Sequence, residues 1–290
     1  MNTVSRWSKR VLGVLFTLFI FFLFSQLFTG CFQFRMDDDE AGQYFKDLGI
    51  NVDFESYLID ENNVFFASTG NDTSQIVLFI HGTPGAWTNF IDFLGNPDLI
   101  RKYRLVAVDR PGFGNSDFGH SEASLEDQSR LLKPILKKNR SHRLPILVGH
   151  SIGGPIAAKM LMMYPDLIDA AILVAPSIDP DLEPKEPWRK LLRLPVIRNM
   201  IPTAIRVSNE EIINLKPQLV QMLPQWENIE KQVIVIQGGD DFLVDPATAE
   251  FSEKVLVNSP HEVLFYEEAD HFIPWTAPEL INRALLNIDE

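Results

Sequence analysis

Apolar residues in this chain fall into short unbroken runs separated by longer segments of helical periodicity. Ile76–Ile80, Leu105–Val108, Ile146–Val148, Ala171–Ala175, Val233–Ile236 and Val263–Tyr266 are continuous apolar stretches. Such runs are expected of strands buried on both faces. Two further strands, Val52–Ile59 and Val64–Ser68, flank Asp60-Glu61-Asn62-Asn63, a hairpin signal. Helix-like segments lie between the runs at Ala86–Leu94, Leu125–Lys138, Ile152–Tyr164, Pro246–Val257 and Ala277–Asn287. This alternation predicts an α/β architecture: a mostly parallel, eight-stranded sheet with helices on both faces. Ligands of such sheets bind beyond the carboxyl ends of the strands. One block breaks the alternation. Asp181–Lys231 carries several prolines and reads as short helices. It is too long for a connecting loop and reads as a cap inserted over the sheet edge at about residues 181–232.

The N-terminus has a different pattern. A basic segment, Met1–Arg10, precedes an apolar run from Val11 to Phe28 broken only by Gly13, Thr17, Ser25 and Gln26. Residues 1–30 therefore read as a signal peptide or membrane anchor. Residues 31–50, with the acidic run Asp37–Glu40, read as a solvated tether with a little helix at Ala41–Leu48. The folded domain occupies 51–290. Leu27-Phe28-Thr29-Gly30-Cys31 resembles the lipobox of bacterial lipoproteins, whose cysteine becomes the lipidated first residue of the mature protein. It departs from that pattern at Phe28, where Leu, Val or Ile is usual. Three readings stay open: lipidation at Cys31, an uncleaved anchor at the lower length limit for spanning a bilayer, and a soluble secreted protein. The positive N-terminal end favours a cytoplasmic start, so the first two readings put the domain outside the inner membrane of a bacterial envelope, tethered to a bilayer.

Charge narrows the partners. Net charge is −13, and the first thirty residues carry Arg6, Lys9 and Arg10 with no acid, so residues 31–290 carry −16. Such a body is repelled by nucleic acid and by anionic lipid. The single cysteine excludes an internal disulfide and a cysteine-rich metal site. Within the acidic chain, Pro187–Asn209 holds five basic residues (Arg189, Lys190, Arg193, Arg198 and Arg206) and no acid. This island is either a solvated helix face or a surface for an anionic headgroup.

The candidate chemistry begins at Gly149-His150-Ser151-Ile152-Gly153, a Gly-x-Ser-x-Gly placed between an apolar run and a helix-like one. A strand turning abruptly into a helix exposes the central hydroxyl on a strained corner, and its flanks must be small where strand and helix approach. Ser151 needs a base within reach, and histidine has a suitable pKa. Of six histidines, only His271 follows the last strand and precedes the last helix. A carboxylate must orient that base. Asp240, Asp241 and Asp245 all follow the strand Val233–Ile236; Asp241 is the first choice, Asp240 its rival, and Asp245 reads as a helix cap before Pro246. Asp270 reads as a local turn residue. The oxyanion of an acyl-transfer intermediate needs donors. The backbone N–H of Ile152, at a helix N-terminus, is one. The backbone N–H of Thr83, in His81-Gly82-Thr83-Pro84-Gly85 after the strand Ile76–Ile80, is the second.

These stretches, with Asp109-Arg110-Pro111-Gly112-Phe113-Gly114-Asn115-Ser116, Gly238-Gly239-Asp240-Asp241 and Ala269-Asp270-His271, occur in the order seen in the α/β-hydrolase superfamily, which the chain resembles over about residues 50–288. The branch in question holds esterases, lipases, C–C bond hydrolases and proline iminopeptidases. The resemblance implies an acid three residues after a glycine like Gly238, which favours Asp241, and a structural role for the Asp109–Ser116 turn in supporting the oxyanion loop. Ser151 replaces the Asp of dehalogenases and epoxide hydrolases, and residues 181–232 hold no Tyr to activate an epoxide. The expected activity is thus that of a serine hydrolase acting on carboxylic esters or related acyl bonds of a small molecule. It would use Ser151, His271 and Asp241 and no metal or organic cofactor. A non-catalytic envelope lipoprotein using the fold as a binding scaffold is the reading from another class. Amide and C–C substrates remain open within the enzyme class.

Overall fold

The computed structural model describes residues 34–288; the basic segment, the apolar run and Cys31 lie outside them. Among the described residues no helix is long and apolar enough to cross a membrane. Eight strands form one sheet in the order β1-β2-β4-β3-β5-β6-β7-β8. β1 (Asp53–Ile59) and β2 (Asn62–Thr69) make the antiparallel hairpin, and β2 runs antiparallel to β4 (Tyr103–Val108). β3 (Gln75–Ile80), β5 (Ile146–His150), β6 (Ala170–Val174), β7 (Gln232–Gly238) and β8 (His261–Tyr266) complete the parallel part. β3 has β4 on one side and β5 on the other, so the winding reverses between β3 and β5. That switch point is where a doubly wound sheet opens a crevice at its carboxyl edge.

The helices are α1 (Asp38–Leu48), α2 (Pro97–Lys102), α3 (Leu125–Leu136), α4 (Gly153–Met163), α5 (Thr203–Met222), α6 (Thr248–Val255) and α7 (Pro278–Asn287). Alternation along β3 shows why both sheet faces are covered. Ile76, Leu78 and Ile80 pack with residues of α3, α4 and α5, whereas Val77 and Phe79 pack with residues of α1, α2 and α7. Each face is thereby removed from water, which accounts for the unbroken apolar runs.

Three expectations change. The tether reading fails for α1, because Ala41 and Phe45 are buried. Asp37 caps the helix, and the Phe45 ring stacks on Trp87 at 6.4 Å. The acidic residues Asp37–Glu40 do face solvent, so the amphipathic stripe was too short to stand out from its charged flank. The segment Ala86–Leu94 is a 3-10 turn, Trp87–Phe90, followed by a single α-turn, Ile91–Leu94. The block between β6 and β7 contains, beside short helices, the twenty-residue α5. Pro217 lies inside that helix. Its lost hydrogen bond is offset because Leu215, Leu219 and Met222 pack into the core.

Candidate active site

Ser151 follows β5 directly and has φ of 55°, the left-handed region that a side chain disfavours. The corner holds because the Ser151 N–H donates to the Val174 carbonyl at 2.9 Å and the Ser151 carbonyl accepts from Gly154 N at 2.9 Å. Its flanks have no room for a side chain. A Cβ on Gly149 would lie 2.2 Å from the Gly153 carbonyl oxygen, and one on Gly153 would lie 2.2 Å from the Ile80 carbonyl oxygen. These contacts are the physical content of the Gly-x-Ser-x-Gly spacing.

His271 follows β8 and is buried, with its Nδ1 2.8 Å from Asp241 Oδ2. Nδ1 therefore carries the proton and donates it, leaving the Nε2 lone pair free. Asp241, on the turn after β7, accepts the Leu243 and Val244 N–H groups on its other oxygen at 2.9 and 2.8 Å. Burial pushes its carboxyl up, but the hydrogen bond and charge of His271 and these two N–H groups outweigh that, holding it below the usual range. Asp240, the rival, is exposed, and Asp245 accepts the Ala247 N–H. Asp270 accepts the Phe272 N–H and the Thr276 hydroxyl, a local turn role.

Ser151, Ile152, Thr83 and His271 line one cavity of about 430 Å3 at the switch point, roofed by residues of the 181–232 block such as Glu183, Ile205, Ile212 and Leu215. No acceptor among the described residues takes the N–H of Thr83 or of Ile152. Gly82 lets the oxyanion loop come close, since a Cβ there would lie 3.0 Å from the Ser151 Cβ and 3.1 Å from His150 Nδ1.

The family profile described as the alpha/beta hydrolase fold matches residues 75–196, the segment that carries the oxyanion loop and the nucleophile corner. The chain has the α/β-hydrolase fold. Among curated relatives, the chain shares 28% identity over 109 residues with epoxide hydrolase 1 of Caenorhabditis elegans, covering 37% of this chain and 26% of that protein. It shares 35% identity over 124 residues with the 2-hydroxy-6-oxononadienedioate/2-hydroxy-6-oxononatrienedioate hydrolase of Paraburkholderia phymatum, covering 39% of this chain and 40% of that one. The matched region thus spans between a quarter and two fifths of these relatives. Among solved structures, a bacterial membrane phospholipase A superposes with a TM-score of 0.65 at 20% identity, covering 97% of this chain and 98% of that one.

The Asp109–Ser116 turn does hold the His81–Gly85 loop, as the resemblance implies, but it does so through a partner that sequence reasoning missed, Glu211. Arg110 and Glu211 are both buried and form a two-pronged ion pair. Arg110 also donates from Nε to the His81 carbonyl and from Nη2 to the Gly82 carbonyl, each at 2.8 Å. Gln128 bridges the pair, accepting from Arg110 and donating to Glu211. A guanidinium after β4 therefore holds the oxyanion loop after β3 and the helix α5 together. Asp109 beside it accepts the N–H groups of Trp87 and Asn115 at 2.8 and 2.7 Å, and its burial pushes its pKa up to about 7. No local spacing signals the Arg110–Glu211 pair, whose members stand 101 positions apart.

Two further groups mark the site. His150 donates from Nε2 to the His271 carbonyl at 2.9 Å; burial and the neighbouring His271 ring push its pKa down to about 3, so it is neutral. Glu183 lines the cavity, and burial pushes it up to about 7 against the opposing pull of Lys216 and Ser177.

Proposed function

We propose that this hydrolase cleaves carboxylic esters or related acyl bonds with Ser151 as nucleophile, His271 as general base and Asp241 as the orienting carboxylate. The observation that carries the reading is the His271–Asp241 hydrogen bond of 2.8 Å, on the rim of the cavity that also receives the strained Ser151. As Ser151 Oγ bonds to the carbonyl carbon, its proton passes to His271 Nε2. The Asp241 carboxylate stabilises the imidazolium. The backbone N–H groups of Thr83 and Ile152 take the charge developing on the carbonyl oxygen. His271 then gives its proton to the departing alkoxide, and water activated by the same imidazole hydrolyses the acyl-enzyme. Opening of an epoxide fits neither Ser151 nor a roof without Tyr across residues 181–232.

The cellular setting belongs to the same proposal: the N-terminal apolar run, or a lipid on Cys31, tethers the domain to a bacterial envelope membrane. A fluorophosphonate probe tests the chemistry. Labelling that disappears in Ser151→Ala supports it; folded protein that takes no label returns the chain to the scaffold reading. A second substrate reading rests on Glu183, which lines the cavity with Glu186. Arg189 pairs with Glu186, so the Glu183 carboxyl is the group there that favours an acyl group bearing an amine, as in an aminoacyl amide. A panel of p-nitrophenyl esters of increasing chain length, set beside aminoacyl amides, decides between the two.

A further inference from the structure

The chain enters the described domain at the same sheet edge as the catalytic cavity. The Met36 N–H donates to Thr88 Oγ1 at 3.2 Å, and Arg35 donates to Asn115 Oδ1 at 2.5 Å. Thr88 follows β3 and Asn115 follows β4, so both lie beyond the carboxyl ends of parallel strands. Ser151 follows β5, the neighbour of β3, at the same edge of the sheet. Only seven positions separate Phe28, the end of the apolar run, from Arg35, a leash of at most about 25 Å. Whatever membrane receives residues 11–28 must lie within that reach of Arg35, which sits at the carboxyl edge of the sheet.

The surface around the cavity has a matching chemistry. On the loops after β7 and β8, Phe242 is 72% exposed, and Phe272 and Trp275 are also exposed. Their rings form a chain, Phe242 to Phe272 at 6.1 Å and Phe272 to Trp275 at 6.0 Å. Across the mouth, Val196 is 75% exposed, with Trp188, Leu191 and Leu194 exposed beside it. The two banks meet at one opening, since Phe242, Leu243, Glu186 and Arg189 line the same cavity. Apolar side chains clustered at one mouth are unlike singly scattered surface hydrophobics. The second bank also carries the basic island. Arg189 and Arg193 are paired with Glu186 and Glu210, whereas no carboxylate among the described residues pairs with the exposed Lys190 or Arg198. In a chain of net charge −13, with Asp37–Glu40, Asp240, Glu267 and Glu268 also exposed at this edge, Lys190 and Arg198 are the cations here that can meet lipid phosphates.

We propose that the rim formed by Trp188, Leu191, Val196, Phe242, Phe272 and Trp275 rests on the bilayer that holds the N-terminus, so that the cavity opens onto the membrane and takes acyl substrates that reside in it. The proposal rests on the membrane tether and hydrolase reading above and adds the orientation and the substrate class. Aromatic rings at the headgroup level, apolar side chains beneath them and basic residues at the flank are the arrangement of an interfacial surface.

Depth-dependent quenching tests the orientation without relying on catalysis. The full chain carrying Trp7→Phe is reconstituted in vesicles of phosphatidylcholine and phosphatidylglycerol whose acyl chains are brominated. Bromine should quench the emission of Trp188 and Trp275, and the quenching should disappear in the Trp188→Phe/Trp275→Phe variant, which leaves only the buried Trp87 and Trp226. No quenching above that background overturns the proposal. A kinetic arm uses Leu191→Asp and Val196→Asp, exposed positions away from the catalytic groups. Turnover of a long-chain ester embedded in the vesicles should fall at least tenfold, with a water-soluble short-chain ester unchanged; equal effects on both substrates, or none, overturn it. Loss of fluorophosphonate labelling at Ser151 would sink the hydrolase reading alone and leave the quenching result standing.

Discussion

The ring of His150 is hydrogen-bonded through Nε2 to the main-chain oxygen of His271 at 2.9 Å. The residue preceding Ser151 thus fixes the loop that carries His271, and β5 and β8 are joined across the site although two strands separate them in the sheet. His150 is a positioning residue. His150→Phe keeps the ring and removes the donor, so kcat should fall roughly 10- to 100-fold, the effect of a misplaced reacting group, with KM little changed. His150→Gln, whose amide can donate, should recover part of the loss. Steady-state kinetics of both variants check this, and a fall in KM and kcat to the same degree would contradict it.

Asp241 and Asp240 are neighbours with opposite environments, one buried against His271 and one in solvent. Asp241→Asn should reduce kcat about ten-thousand-fold by imposing the wrong tautomer on His271. Asp240→Asn should stay within about twofold, since nothing in the site leans on it. Comparable losses in the two variants would reassign the acid.

The left-handed backbone of Ser151 is retained at a cost of about 1 kcal/mol or more for any residue with a Cβ. Ser151→Ala and Ser151→Gly should both be inactive. Their stabilities should differ, with the glycine variant higher by about 1 kcal/mol in denaturant titration because glycine tolerates that φ. An alanine variant as stable as the glycine one would show that the corner stores no strain.

Glu183 has a folded pKa of about 7 against an ordinary value of 4.5, chiefly from burial. Between those values the folded state binds more protons than the unfolded one, so stability falls as pH rises from about 4.5 to about 7 and stays lower above it. Asp179, Glu186 and Lys216 act on the same carboxyl. Glu183→Gln removes the titration. The variant should match wild type near pH 4 and exceed it by about 1 to 3 kcal/mol above pH 8. Parallel stability curves for the two proteins across that range would contradict this.

The periodicity of apolar residues located all eight strands; the inner ones are buried on both faces, whereas the edge strands β1 and β8 keep their apolar runs although Leu58 and Phe265 face solvent. Ser151, Asp241 and His271 stood out as candidates because each sits just past the end of such a strand, at the edge where the topology gathers them. The helix α5 was not, because Pro217 reads as a breaker and only tertiary packing of Leu215 and Leu219 overrides it. The docked face of α1 was hidden by its charged neighbours. His150 had no expected role beyond its place in the motif, yet its ring lies 4.9 Å from that of His271. No spacing along the chain reports a side chain that reaches a carbonyl 121 positions away.

The buried pair of Arg110 and Glu211 has a mechanical consequence for how substrate arrives. Glu211 belongs to α5, and its partner grips the carbonyls of His81 and Gly82. Prising α5 upward would strand a charge in a water-free interior, costing about 3 to 5 kcal/mol. It would also pull on the loop that offers the Thr83 N–H. The rear of the roof is therefore riveted to the loop after β3, whereas the front, residues 181–200, is largely exposed and tied to α5 by the surface pair Arg193–Glu210, so opening the front costs less.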